Sequence, residues 1–375
     1  MPVSPSDTIR LAHGGGGSLM QRLIHEIFQP AFSNVFLNSM QDSAILPALN
    51  GRVAFTTDAY VVQPLFFPGG DIGSLAIFGT VNDLAMQGAK PLYLSASFIL
   101  EEGLPMETLK RIVTSMASAA TSCGIQIVCG DTKVVDHGKG DQIFITTTGI
   151  GLVPNHVDWG PHRIQPGDCL LVSGDLGAHG IAVLSMREGL NFSGNLRSDA
   201  APLHQVVSAL IEEGVTCHCL RDLTRGGLAT VLNELAMTSQ TGMQVEETRI
   251  PISESVRGAC EMLGLDPLYV ANEGRFVLIL PQNQVQTKEP ASGPEDMSAV
   301  NVTLPPSSTE SGVAYTSSTL IMDTRTVSCT TTSTVFVTVS SSQELRIIKP
   351  PNRREINRRS EVLKGFIRPP DIVNK

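Results

Sequence analysis

Residues 73–100 read "GSLAIFGTVNDLAMQGAKPLYLSASFIL", and the division of this stretch decides the fold. The spacing of apolar residues predicts a helix over 73–88, and the alternation after Pro91 predicts a strand over 91–100. The same alternation of periods extends outward in both directions. Upstream lie a glycine loop at 14–17, a helix over 18–32 and a strand over 52–62. Downstream, a helix over 105–122 aligns Leu109, Ile112, Val113 and Met116 on one face, and strands follow at 126–135 and 142–152. Residues 1–155 therefore form an α/β domain.

The stretch "VPNHVDWGPHRIQPG", rich in proline, glycine and polar residues, reads as a linker. A second unit, over 165–283, opens with the strand "DCLLVSG". Helices over 178–189, 203–213, 225–239 and 253–263 follow, the last aligning Val256, Cys260 and Leu263, and "RFVLILP" supplies one more strand. From about 284 the character changes. Serine and threonine dominate, as in "SCTTTSTVFVTVSSS", and the chain then turns basic in "RIIKPPNRREINRRSEVLKGFIRPPDIVNK". This segment reads as a disordered extension, as a partner-binding tail, or as an out-of-frame translation whose undisturbed frame encodes a different end.

The chain has 375 residues, of which 42% are apolar and 17% charged, enough for sizeable cores and unlike a disordered acidic protein. A net charge of -9 argues against a general affinity for nucleic acid. No apolar run reaches membrane-spanning length and the N-terminus shows no signal peptide, so a cytoplasmic protein is expected. Seven cysteines, an odd number scattered along the chain, do not suggest a disulfide framework. Cys217 and Cys219 flank His218, for which a buried structural role is expected over a metal site.

Four aspartates stand where elements end: Asp58 in "FTTDAYVV", Asp83 in "GTVNDLAMQGA", Asp131 in "VCGDTKVV" and Asp222 in "LRDLTRGG". Singly, each reads as a cap or turn residue. If they converge, a magnesium-like cation is the partner that offsets their repulsion, and phosphates suit its remaining positions. "HGGGG" before a helix offers bare backbone N–H groups to an anion, although a glycine run is also a plain connector. In "LRDLTRGG", Asp222 would face metal and Arg225 phosphate, with Gly226 and Gly227 admitting backbone close to the ligand. The plainer alternative is a strand-to-helix turn with a surface ion pair.

The motifs "LAHGGGG", "FTTDAYVVQPLFFPGGDIGSLAIFGTVNDLAMQGAKPLYLSASFILEEGLPMETLKRIV", "GDTKVV", "LRDLTRGG" and "ANEGRFVLIL" resemble the HypE family of hydrogenase-maturation proteins, from about residue 9 to 283. The wider group includes PurM, SelD and ThiL. The resemblance implies a PurM-like two-domain α/β fold, a homodimer paired through N-terminal sheets, and ATP with magnesium. It implies dehydration of a cysteine-bound carbamoyl group to a thiocyanate, with HypF as carbamoyl donor and a HypC–HypD complex as cyanide acceptor, and neither nucleic acid nor membrane as partner.

By the same resemblance Asp83 and Asp131 bind magnesium, with Asp58 and Asp222 in or beside that shell. Gly14, Gly15, Gly16, Gly17, Asp58, Asn82, Thr132, Arg225, Gly226 and Gly227 contact the nucleotide. Glu273 is the general base and Lys133 orients it or holds phosphate, although Lys133 alone reads as an exposed strand-end cation. His13 shapes the glycine loop or packs beneath it. The resemblance fails after about residue 287. The family closes on Pro-Arg-Ile-Cys where this chain has "RPPDIVNK", and the nearest upstream cysteine is Cys329. The second domain is accordingly expected to lack closing strands, leaving an exposed sheet edge. Two other readings stay open: a SelD- or ThiL-like enzyme acting with ATP on a small molecule, and a non-catalytic nucleotide-binding partner of HypF or HypC–HypD.

Overall fold

After a 3-10 turn at Leu11–Gly14, the chain runs through α1 (Ser18–Leu23), a π-turn at Ile24–Phe28 and α2 (Gln29–Ala31). The helix expected over 18–32 thus forms with a widened middle. Pro30 supplies no N–H and its ring crowds the carbonyl of Glu26, inside the π-turn. The computed structural model describes residues 8–190 and 196–287, and beyond them the backbone of short strands at Val300–Thr303, Thr319–Ile321, Val337–Ser340 and Arg346–Ile348.

The first domain continues with β1 (Arg52–Tyr60), a small hairpin of β2 (Phe66–Phe67) and β3 (Gly70–Asp71), and α3 (Ile72–Met86). Then come β4 (Lys90–Glu101), α4 (Met106–Cys123), β5 (Gln126–Val135) and β6 (Ile143–Val153). Asp71 starts α3 by accepting the N–H groups of Gly73 and Ser74, at 2.7 and 3.1 Å, a cap worth about 1 kcal/mol. The Ser115 hydroxyl of α4 donates to its other oxygen at 2.6 Å, so one carboxylate both begins a helix and ties it to the next.

The sheet order is β1-β6-β4-β5, with β4 and β5 parallel and the other pairs antiparallel. Helices α3 and α4 cover one face, burying Leu109, Ile112, Val113 and Met116 with Leu94, Ala96 and Phe98 of β4. The opposite face carries exposed Val53, Phe55, Val61 and Ile99.

The second domain is built on β7 (Asp168–Val172), α5 (Ala178–Arg187), α6 (His204–Glu212), β8 (Cys219–Asp222), α7 (Gly227–Ser239), β9 (Gly242–Glu246), α8 (Glu254–Leu263) and β10 (Phe276–Pro281). β10 lies between β7 and β8, antiparallel to both. Its unbroken apolar run follows from burial on two sides. Val277 and Ile279 face the layer of α7, while Phe276, Leu278 and Leu280 face α6 and the end of α3. That second layer, which includes Ala85 and Met86 of α3, joins the domains.

Two short strands from beyond residue 287 join this sheet. The strand Val337–Ser340 stands between β7 and β9, antiparallel to both, and Arg346–Ile348 runs parallel to β9 on its outer side. The other expectations for the tail, including the surroundings of Cys329, fall outside the described residues. His218 and Asp168 form a buried pair at 2.7 Å, and Cys217 and Cys219 are buried, consistent with the structural role read for "CHC".

Candidate functional site: a carboxylate cluster at the domain junction

Asp83 lies one turn before the end of α3, where the helix passes beneath β1, and its carboxylate accepts a 2.9 Å bond from the Thr56 hydroxyl. Asp58 is two residues further along β1, on the same face as Thr56 because strand side chains alternate. Asp222 ends β8, opposite Phe276 of β10. Glu273 sits in the loop that leads into β10.

These four carboxyls share one electrostatic environment. Burial pushes the Asp222 carboxyl up to about 6, and the negative charges of Asp83 and Asp58 add to that while Arg221 opposes it. Burial also holds Asp83 above its ordinary value, against the Thr56 hydrogen bond and with help from Asp58. Glu273 is pushed well above the usual carboxylate range by burial first, then by Asp199, Asp222, Asp58 and Asp83. Among the described residues no three ligating side chains stand close enough together to hold a metal ion. As a donor set, however, hard oxygen ligands whose ionised forms repel one another fit a divalent cation of the magnesium type.

The sequence "ANEGR" at 271–275 presents Glu273, and each neighbour has a part in that. Asn272 is fully buried; its side chain accepts the Gly177 N–H at 2.7 Å and donates to the carbonyl of Leu223, the residue after Asp222, at 3.0 Å. Arg275 bonds the backbone carbonyl of Asp175 at 2.9 Å and its carboxylate at 2.8 Å. Gly274 is pressed against the 199–201 segment so closely that any Cβ would collide with the Asp199 carbonyl.

Other expected contacts are placed differently. Asp131 and Lys133 do not join the cluster. They lie on β5, at the far edge of the first sheet, paired with each other at 2.9 Å, and the lysine holds the Asp131 carboxyl below its ordinary value. Asp131 shares a cross-strand row with Ser97, Thr146 and Ala59, which places it three strand spacings, about 14 Å, from β1. Its parity directs it to the open face, whereas Asp58 and Asp83 meet on the helix-covered side.

Gly14 packs on Val134, so the glycine loop also belongs to the β5 edge. Thr132 is buried there, lining an open, mainly apolar pocket of about 240 Å³ between β5, the α1–α2 helical segment and Phe36–Ser43. His13 is buried beneath the loop, its ring accepting the Arg10 N–H at 2.9 Å, which is the packing role.

Asn82 is 2% exposed, with its amide engaged by protein: it donates to the carbonyls of Ala201 and Glu273 and accepts from the Leu203 N–H. Gly226 and Gly227 take left-handed φ values of 84° and 61°. A Cβ on Gly227 would lie 2.5 Å from the Leu268 carbonyl and 2.7 Å from that of Val270. At position 227 the close approach that requires glycine is to the 268–270 segment. Arg225 is exposed.

Comparison with known proteins accords with this geometry. Residues 40–153 match the model for the AIR synthase related protein N-terminal domain, and residues 165–292 that for its C-terminal domain. A two-domain α/β protein of that class is what the fold and the junction site define. Carbamoyl dehydratase HypE of Azotobacter vinelandii is 52% identical over 279 residues, 74% of this chain and 82% of that protein. A solved structure of hydrogenase maturation protein HypE in complex with ATP superposes with a TM-score of 0.71 at 52% identity, over 73% of this chain and 81% of that one. A HypE–HypF complex matches with a TM-score of 0.67 at 40% identity, over 88% of this chain and 99% of that one. The chain belongs to the HypE family.

Proposed function

We propose that this protein is an ATP-dependent carbamoyl dehydratase that converts a cysteine-bound carbamoyl group, R–S–C(=O)–NH2, to a thiocyanate, R–S–C≡N, with release of ADP and phosphate. The observation that carries the reading is the convergence of Glu273 with Asp58, Asp83 and Asp222 at the domain junction, in a chain half identical to carbamoyl dehydratases. Hydroxide is a poor leaving group from an amide. Transfer of the γ-phosphoryl to the carbonyl oxygen turns that oxygen into part of a phosphate, which departs as the carbon–nitrogen triple bond forms.

Two protons leave the nitrogen. Burial and the charges of four aspartates hold Glu273 well above the usual carboxylate range, which makes it the stronger base of the cluster. Asp83, with Asp58 or Asp222 beside it and phosphate oxygens in the remaining positions, would hold magnesium, which supplies charge compensation for the phosphates when bound.

The apolar pocket beside Thr132 suits a nucleobase, and Lys133 with the glycine loop suits phosphate. Two copies pairing through the open face of Val53, Phe55, Val61 and Ile99 form the homodimer. That pairing can bring the β5 edge of one copy to the carboxylates of the other. We place HypF as carbamoyl donor, on the strength of the HypE–HypF complex, and HypC–HypD as acceptor. No helix among the described residues is long and apolar enough to cross a membrane, and a cytoplasmic site of action follows from the proposed partners.

The test is incubation with an S-carbamoylcysteine peptide and magnesium ATP, followed by mass spectrometry. Loss of the elements of water from the peptide, abolished in Glu273→Gln, supports the reading. An unaltered peptide with the native chain refutes it.

A further inference from the structure

The backbone of Glu273 is held at both ends by side chains from outside its own loop. Its N–H donates to Asp199 Oδ1 at 2.9 Å, and its carbonyl accepts from Asn82 Nδ2 at 3.2 Å. The first partner lies 74 residues away and the second 191 residues away, in the other domain. Asn82 immediately precedes Asp83. Its remaining capacity ties down the segment that carries Asp199, through the Ala201 carbonyl at 3.0 Å and the Leu203 N–H at 2.8 Å.

Asp199 is itself fixed. Its side chain is 2% exposed, Arg275 Nε stands 3.8 Å from Oδ2, and Gly274 is packed against its carbonyl. That second oxygen has no hydrogen-bond partner. Keeping a buried carboxylate with one oxygen unsatisfied is costly. A role for the oxygen that does bond, at the peptide of Glu273, accounts for its being there.

We propose that Asn82 and Asp199 are positioning residues that clamp the Glu273 peptide from two sides, and so set this carboxyl against Asp83 across the domain boundary. The inference deepens the dehydratase reading and rests on it for the role of Glu273. The clamp itself rests on the hydrogen bonds alone. Because Asn82 and Asp83 are consecutive on a rigid helix, the position of the base is referenced to the same element that carries a proposed metal ligand. A base displaced by an ångström loses about a hundredfold in rate, while ligand affinity depends on groups the clamp does not touch.

The experiment compares native protein with Asp199→Ala, Asp199→Asn, Asn82→Ala and Asn82→Asp. Asparagine at 199 still offers an oxygen to the Glu273 N–H. Aspartate at 82 keeps the acceptor for Leu203 but turns the donor facing Glu273 into an acceptor, so it stands in should the alanine variant not fold. Three quantities are read: turnover of the S-carbamoylcysteine peptide, calorimetric affinity for magnesium ATP, and hydrogen–deuterium exchange of the 271–275 segment.

The clamp predicts that Asp199→Ala and the Asn82 variants lose about a hundredfold in kcat with ATP affinity retained. It also predicts that exchange in 271–275 speeds up while that of β10 does not, and that Asp199→Asn recovers most of the rate and protection. Native exchange and kcat in Asp199→Ala, or an Asp199→Asn variant as impaired as the alanine, would overturn it. Should the native protein leave the peptide unaltered, the dehydratase reading fails, and exchange at 271–275 still decides the clamp.

Discussion

Replacing Asp222 with asparagine should stabilise the metal-free protein, even though it removes a group proposed for function. The Asp222 carboxyl is raised from 3.8 to about 6 by burial and by the charges of Asp83 and Asp58. The folded protein therefore holds this proton more tightly than the unfolded chain does. Below about pH 4 the carboxyl is protonated in both states and costs nothing; as pH rises through about 6, it must ionise in a site that disfavours the charge. A pKa displaced by about two converts to about 3 kcal/mol of lost stability above that point, and partial solvent access brings the expectation nearer 2 kcal/mol. Asparagine keeps the shape without the charge.

Urea unfolding in metal-free buffer, at about pH 5 and about pH 8, measures the difference. The variant should be more stable at the higher pH, by about 2 kcal/mol, and the gap should narrow at the lower one. Magnesium ATP should stabilise the native protein and not the variant, reversing their order. A variant equal to or less stable than the native protein at the higher pH would refute the account of a strained, like-charged cluster.

Three further outcomes follow from the same geometry. Asp83→Asn should abolish magnesium-dependent ATP binding in a calorimetric titration while leaving the protein folded, because it removes the central carboxylate of the proposed metal site. If the proposed homodimer pairs through the open apolar face, Phe55→Asp, which places a charge in its middle, should leave a monomer in light scattering where the native protein is a dimer. Gly227→Ala should lower stability by about 2–4 kcal/mol in thermal unfolding, combining an unfavourable left-handed φ with a collision against two backbone carbonyls.

Much of the fold could be read from the residues because the long elements obey their periods. The helix read over 105–122 is found at Met106–Cys123, and the strand read over 126–135 at Gln126–Val135. The β2–β3 hairpin, β8 and β9 do not stand out in the sequence, since they are short and, unlike β7, carry no continuous apolar run between turn signals. At the site, the aspartates drew attention by standing at element ends, but strand order cannot be read from one chain. With β5 placed at the sheet edge away from β1, Asp131 and Lys133 separate from Asp58 and Asp83. Asn82 enters the sequence reading only through the family resemblance, and the protein groups it bonds, 119 and 191 residues away, cannot be read from its neighbours. Asp199, in "RSDAAPL", carried no local signal at all, for its role exists only once the second domain closes on α3.

In the proposed reaction the carbonyl oxygen of the carbamoyl group leaves as phosphate. Supplying an S-carbamoylcysteine peptide labelled with heavy oxygen at that carbonyl, together with unlabelled magnesium ATP, tests it directly. The label should appear in the released inorganic phosphate, in step with formation of the thiocyanate. Label recovered in water, or thiocyanate formed without ADP, would contradict it.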